Sequence, residues 1–392
     1  MGHRIARVVL LALCLPVACA GETKEKEPER VRPPAGELEQ QVAAIVAKDG
    51  ALTVTASFVP DDGAGDTSGF ADILASVRSD TRALLARMRK AGAAVTEQAT
   101  PATERATIAL VVGERRRDLT MLTDLADVEL GPKPVLHRFL GAEVMAWQLR
   151  ALVAPAKAYW LTGDGKLPGG YSRIVKRLAR QGFDSVACGG RPPADCAILI
   201  AAQPTWLTVE QLQELHAWIK AGGCMLMTIA HSSELFERSR RFLTDVGIEP
   251  GQQQAFNAVK DPMSGDTTFG SQNARIVVLK GFASDNLCTL PFARDSESLV
   301  ELVDARAIRT EKGASLLTTE PYAWEGELPR KDGKPDLDKL GKLTVGAFVR
   351  VGQGRLGIIS GRGFDNGMLN VANANGDLFV RLVDWMAFGL SG

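Results

Sequence analysis

Residues 156–233 read AKAYWLTGDGKLPGGYSRIVKRLARQGFDSVACGGRPPADCAILIAAQPTWLTVEQLQELHAWIKAGGCMLMTIAHSS. The apolar run Ala156–Leu161 gives way to a helical pattern on Tyr171, Ile174, Val175 and Leu178, which Gly182 stops. A second run, Cys196–Ala201, leads to a helical pattern on Leu212, Leu215 and Ile219. Gly222-Gly223 stops that helix, and a third run follows at Cys224–Ile229. Hydrophobicity that is continuous along a strand, without alternation, means cover on both faces, and helical crossovers between strands imply a mostly parallel sheet. Thr208 with Gln211 three residues on forms a capping box for the second helix, and Gly222 supplies its left-handed end.

In such a sheet the ligand crevice lies beyond the carboxyl ends of the strands. The residues expected to line it are Thr162, Asp164, Gln203, Thr205, His231 and Ser232. His231-Ser232 follows a buried strand, but a Ser or Cys nucleophile needs a sharp strand-to-helix turn, a base and oxyanion donors. The G-x-S-x-G form of that turn, and its Cys equivalent, do not occur in the chain. Gly163-Asp164-Gly165-Lys166 fails the spacing of a phosphate loop and reads as a strand-end turn. Cys224 reads as core, and Asp365, Asp377 and Asp384 as cap and surface groups.

With 46 basic and 46 acidic residues in 392, the formal net charge is +0, which argues against a nucleic-acid partner. Arg115-Arg116-Arg117 reads as a solvated turn. The first 20 residues read as a signal or lipoprotein peptide: His3, Arg4 and Arg7 make a short basic region, and Ile5–Ala18 is a predominantly apolar core. Leu15-Pro16-Val17-Ala18-Cys19 has the form of a lipobox, making Cys19 the expected lipidation site, while Ala18-Cys19-Ala20 also fits ordinary signal cleavage. Residues 21–35 are charged and contain Pro, as a solvated tether should be. Export permits disulfides, and Cys188 and Cys196, flanking a Gly/Pro turn that would join neighbouring strand ends, are a candidate pair; two small buried thiols fit equally. His137, His216 and His231 are too scattered for zinc, and no metal or cofactor is expected.

Residues 36–154 form an N-terminal α/β domain, with helices over Glu37–Ala47, Phe70–Lys90 and Glu143–Val153. Residues 155–392 form the larger α/β domain, with surface excursions near 247–275 and 326–342. A terminal helix is expected over Asp377–Phe388 with Asn375 as its cap, and no membrane span follows it.

An ordered set of short motifs resembles the exported auxiliary subunit of gliding-motility-type (Gld-type) ABC transporters, whose soluble part also resembles a domain of an intraflagellar-transport protein. The motifs are Gly141-Ala142-Glu143, Ala158-Tyr159-Trp160-Leu161-Thr162-Gly163-Asp164-Gly165, the segment from Ala197 to Pro204 with Leu207-Thr208, and Ile219-Lys220-Ala221-Gly222-Gly223. The set continues with the segment from Leu317 to Trp324, the segment from Gly354 to Ser360, Asn375-Gly376-Asp377-Leu378-Phe379 and Val383-Asp384-Trp385-Met386. The resemblance implies a three-layer α/β domain of the class I glutamine amidotransferase or flavodoxin kind, without the catalytic Cys and His. It also implies partnership with transporter membrane and ATPase subunits in a cell envelope. Two features depart from it. No terminal span is read, which makes a lipid anchor the expected substitute, and Gly361-Arg362-Gly363-Phe364 replaces an acidic turn after a late strand. The expected function is a non-catalytic, lipid-anchored envelope component that binds a polar ligand or a partner subunit. The alternative is an amidotransferase-superfamily hydrolase of sugars or peptidoglycan using His231, Ser232 and Asp164.

Overall fold

The computed structural model describes residues 36–59, 70–101, 105–129, 134–154, 157–204, 206–230, 233–260, 267–268, 276–279, 281–295, 298–311, 313–327, 335–369 and 373–389. The first part is an α/β layer of α1 (Glu37–Asp49), β1 (Thr53–Phe58), α2 (Phe70–Lys90), β2 (Ala94–Ala99), β3 (Thr107–Val112) and β4 (Arg115–Thr120). It closes with α3 (Met121–Leu125), the hairpin of β5 (Ala126–Glu129) and β6 (Val135–Phe139), and α4 (Gly141–Val153). Its strands lie in the order β2-β1-β3-β4, with β1 and β2 parallel. Helix α2 buries Ile73, Val77, Leu84, Leu85 and Met88, which the three-to-four spacing puts on one face.

The main sheet starts at β7 (Lys157–Leu161), followed by α5 (Ser172–Arg180), β8 (Asp184–Cys188), β9 (Cys196–Ala202), α6 (Val209–Lys220), β10 (Cys224–Ile229) and α7 (Ser233–Asp245). Then come β11 (Gly281–Phe282), α8 (Leu290–Arg294), β12 (Val300–Val303), β13 (Ala314–Thr318), β14 (Thr344–Val351), β15 (Gly354–Ser360) and α9 (Asn375–Asp384). The eight-stranded order is β11-β13-β14-β15-β10-β9-β7-β8. The strands from β15 to β8 run parallel, and β14, β13 and β11 extend the sheet antiparallel. The chain is an α/β protein with a mainly parallel central sheet, preceded by a smaller α/β sheet.

The continuous apolar runs have their explanation in the two cores. Trp160, Ile198, Ile200 and Leu226 pack toward Ile174, Leu178, Phe379 and Leu382 of α5 and α9. Tyr159, Leu199, Met225 and Met227 point the other way, toward Leu212, Leu215 and Ile219 of α6. Alternate side chains thus bury on opposite faces, so every position of these strands must be apolar. The capping box is present: Gln211 N donates to Thr208 Oγ1 at 3.3 Å and Thr208 N to Gln211 Oε1 at 2.9 Å. Gly222, at φ +115°, turns the chain out of α6 and into β10.

Several expectations are corrected. Cys188 and Cys196 are free thiols. Strand β7 runs between their strands, with Cys188 opposite Leu161 and Cys196 opposite Lys157. Two strand spacings of about 4.8 Å exceed the roughly 7 Å that a disulfide can span between Cα atoms. Arg115-Arg116-Arg117 belongs to β4 and is not a turn. Arg117 is buried, donating to Gln181 Oε1 at 3.1 Å and to Asp384 Oδ1 at 3.0 Å, so Asp384 is no surface group either. Asn375 does not cap α9 but opens it, with its amide held by Glu301 N (3.0 Å) and Glu301 O (2.8 Å). The helix then widens into a π-turn over Trp385–Gly389. Among the described residues no helix is long and apolar enough to cross a membrane.

The Arg117–Asp384 pair belongs to a polar seam between the N-terminal layer and the main sheet's helices. Asp127 accepts from Arg294 at 2.6 Å, Asp124 from Arg381 at 3.3 Å, and Phe388 O from Arg150. Burial raises the Asp384 carboxyl above its ordinary range, while Arg117 pulls it back down. Removing one partner of a buried pair strands the other charge. Arg117→Met should therefore cost about 3–5 kcal/mol at neutral pH, and adding Asp384→Leu should recover most of that. Denaturant midpoints at constant slope measure the cycle, and a cost under about 1 kcal/mol for Arg117→Met would show that water reaches the pair.

Candidate functional site

From β7 the chain moves outward to β8, then returns to β9 on the other side of β7 and proceeds to β10. The helices change faces with it: α5 packs on one core and α6 on the other. The point between the ends of β7 and β9 is thus the switch point at which doubly wound sheets open a crevice. Thr162-Gly163-Asp164 leaves β7 there and Gln203-Pro204 leaves β9.

Gln203 is at φ +53°, one of two non-glycine residues with positive φ among those described; the other is Asp304 at +56°. Both flank Gly361, the residue after β15. Gln203 Nε2 donates to Gly361 O at 3.0 Å, and a Cβ on Gly361 would lie 3.3 Å from Val303 O, beside Asp304. The Gln203 carboxamide also donates to Thr228 Oγ1 at 3.2 Å and accepts from Ala230 N at 2.8 Å. One side chain therefore ties together the ends of β9, β10 and β15. Left-handed strain of this kind persists only where the surroundings enforce it, and it collects at functional positions.

The other crevice residues have different roles. Thr162 is buried, and its hydroxyl has no partner among the described residues. Gly163 lies under the ring of Trp206, where an added Cβ would come 3.2 Å from the indole, so the switch point is floored by an aromatic face. Asp164 is exposed and folds its carboxylate back onto Lys166 N at 3.1 Å, an Asx-type turn. Thr205, His231 and Ser232 lie outside the described residues, as does Cys19.

The structure adds residues that spacing assigned elsewhere. Tyr171 shares the apolar period of α5, yet it sits in a one-turn 3-10 segment (Gly169–Tyr171) before that helix. Its ring packs on Trp160, centroids 5.7 Å apart. Burial pushes the Tyr171 phenol up to about 12, with the Asp365 charge adding to the rise. Arg362 and Asp365 come from the loop after β15, and that loop is stitched to the Tyr171 turn through Asn366. Asn366 N donates to Gly170 O at 2.7 Å, its Nδ2 to Gly169 O at 3.0 Å, and its Oδ1 accepts from Arg173 N at 3.0 Å. Arg362 pairs with Asp304 at 3.1 Å. Cys196 and Cys224 are ill suited to reaction: burial holds both up at about 12, and Cys224 donates to Met386 O inside the core.

No protein-family model and no curated protein matches the chain. Among solved structures it is similar to the mmIFT52 N-terminal domain, at 12% identity and a TM-score of 0.42, covering 60% of this chain and 98% of that one. It is also similar to a ThuA-like protein from Bacteroides uniformis (11% identity, TM-score 0.35, 60% and 92% covered). A third neighbour is a β-galactosidase from Rahnella (14%, 0.36), of which it spans 34% of the length and which covers 63% of this chain. An intraflagellar-transport domain is thus among its structural neighbours, and none of these likenesses speaks to chemistry.

The Gln203 clamp makes a prediction that inverts the usual order of substitutions. Gln203→Ala and Gln203→Gly lose the same carboxamide bonds, but only Gly adopts positive φ freely. Gln203→Gly should be the more stable of the two by about 1 kcal/mol, although Gly ordinarily loses to Ala through its larger unfolded-state entropy. Thermal and denaturant midpoints of the two variants decide it, and equal stability would mean the turn relaxes out of the left-handed region.

Proposed function

We propose that the chain is a non-catalytic binding component, exported and anchored by a lipid on Cys19, that works beside an ABC-type transporter and engages a polar ligand or a partner's loop at the carboxyl end of its sheet. The observation that carries this reading is Gln203. It occupies a strained strand end leading toward a helix, the kind of place where an enzyme of this architecture would hold a nucleophile. A carboxamide has neither a nucleophilic nor an acid–base role at neutral pH, and both of its ends are spent on Thr228, Gly361 and Ala230. The position serves to hold the strand ends still, which favours binding over turnover. Around it the exposed Asp164 and the half-buried Tyr171 and Asp365 offer polar contacts. The transporter and the envelope enter from the sequence motifs alone.

The test is affinity purification of the full chain from solubilised membranes. Co-purification of a permease and an ATPase subunit is the expected result, with Cys19→Ser releasing the protein into the soluble envelope fraction and Asp164→Trp, at an exposed position, reducing recovery of the partners without lowering the melting midpoint. The reading fails if no transporter subunit is recovered. It also fails if His231→Ala or Ser232→Ala alone abolishes complementation in a stably folded protein, which would promote the hydrolase.

A further inference from the structure

We propose that the outer face of α5 docks on an anionic lipid surface; this extends the anchor in the reading above and rests on it. Helix α5 has the sequence SRIVKRLAR and is the one helix of eight or more residues, among those described, that contains no Asp or Glu. Its periodicity separates two faces. Ile174 and Leu178 are fully buried in the core, whereas Arg173, Lys176, Arg177 and Arg180, at i, i+3, i+4 and i+7, line up along the other side over about 10 Å. Of these four, Arg173, Lys176 and Arg180 are exposed.

Neighbouring acids leave this stripe with a surplus of positive charge. Asp377 of α9 pairs with Arg177, and Asp384 of the same helix is spent on Arg117. Asp184 of β8 acts on Lys157, and Asp365, on the loop past the amino end of α5, accepts Gly367 N at 2.9 Å and Met368 N at 3.3 Å. Arg173 is held by carbonyls only, donating to Leu369 O at 2.9 Å and Asn366 O at 3.4 Å, which orients its guanidinium without neutralising it. Lys176 and Arg180 have no hydrogen bond or ion pair among the described residues. Even with Asp184 and Asp365 both counted against these three cations the face stays positive, and neither acid lies on the helix. Elsewhere surface cations are matched: Arg82 with Glu97, Arg87 with Glu39 and Arg116 with Asp118.

The place where the described chain begins favours lipid over other anionic partners. Glu37, at the start of α1, pairs with Arg150; Arg150 donates to Phe388 O; and the Phe388 ring stacks on Phe183, centroids 5.6 Å apart. Phe183 follows the Gly182 that stops α5, so Glu37 is linked to the carboxyl end of the basic helix through Arg150 and Phe388 alone. The 16 residues 20–35 separate Cys19 from this point and can span no more than about 55 Å, so a lipid on Cys19 keeps the stripe within reach of the bilayer. Residues 21–35 carry four acids and four bases and thus offer the stripe no net charge of their own. The apolar face of α5 is committed to the core, so the contact inserts no side chain and depends on charge alone.

Co-sedimentation of the full chain carrying Cys19→Ser, with vesicles of phosphatidylcholine alone or mixed with phosphatidylglycerol, tests the assignment. The substitution removes the acyl chain, and residues 1–35 contribute alike in every further variant. Stronger partitioning onto the anionic vesicles is expected. At about fivefold per cation, adding Lys176→Gln with Arg180→Gln should weaken it about 25-fold and leave both the neutral vesicles and the melting midpoint unchanged. Lys220→Gln with Lys342→Gln removes the same charge at exposed positions outside α5 and should partition like the parent. Salt at about 1 M, where the screening length is about 3 Å, should erase the difference between parent and stripe variant. The assignment is overturned if the parent shows no anionic preference, if the folded stripe variant binds like the parent, or if the Lys220 and Lys342 variant loses as much. Binding to poly-L-glutamate that the stripe variant loses, without any preference for anionic vesicles, overturns it in favour of an acidic partner protein. A wild-type chain found wholly in the soluble envelope fraction, with the vesicle pattern intact, would sink the anchor and leave the stripe standing, while a membrane-held chain without anionic preference would sink the stripe alone.

Discussion

One carboxamide fixes the geometry at the carboxyl end of the main sheet. Parallel strands end in exposed backbone groups that neighbouring loops must satisfy, and here Gln203 joins three strand ends at once, with Thr228, Ala230 and Gly361 as its partners. The cost is a left-handed backbone at a residue with a long side chain, on the order of 1–2 kcal/mol. The return is positional. The Thr228 hydroxyl is held by it, and the loop that carries Arg362 and Asp365 departs from Gly361, which the same side chain holds.

The sheet makes that arrangement possible because it is rigid on both faces. Trp160 and its neighbours pack under α5 and α9 while Leu199 and Met227 pack under α6, so the strand ends present a fixed edge to the loops. At the switch point itself the Trp206 ring lies against Gly163.

The same physics decides what could be read from the sequence. Strands buried on both faces must be apolar at every position, and α6 carries its start and stop in Thr208, Gln211 and Gly222, so the layers were legible from local signals. Strand order was not. Nothing local says that β7 intervenes between β8 and β9, and the notion of a Cys188–Cys196 bond depended on that one adjacency. Long-range polar pairs were equally hidden. Arg117 reads as part of a solvated triplet because its partner Asp384 is 267 residues away, and the docking of Asn366 onto Arg173, 193 residues back, leaves no local signal. Tyr171 was obscured for a different reason: an aromatic ring at the head of a helix satisfies the apolar period whether or not its hydroxyl has work beyond it.

The polar seam between the N-terminal layer and the rest has a consequence for how the chain is made. Arg117 is synthesised early, but its partner Asp384 lies 267 residues downstream. Arg150 finds its ion-pair partner Glu37 within the N-terminal layer, and only its bond to the Phe388 carbonyl, 238 residues downstream, comes late. The N-terminal layer can bury its own α2 face as soon as β3 and β4 exist, yet Arg117 stays without its carboxylate until almost the whole main sheet has been translated. Closing the seam then removes it from water in a late step. Its timing is governed by the slowest and least local part of the sheet, so the N-terminal layer waits, folded but undocked, for the last helix to arrive.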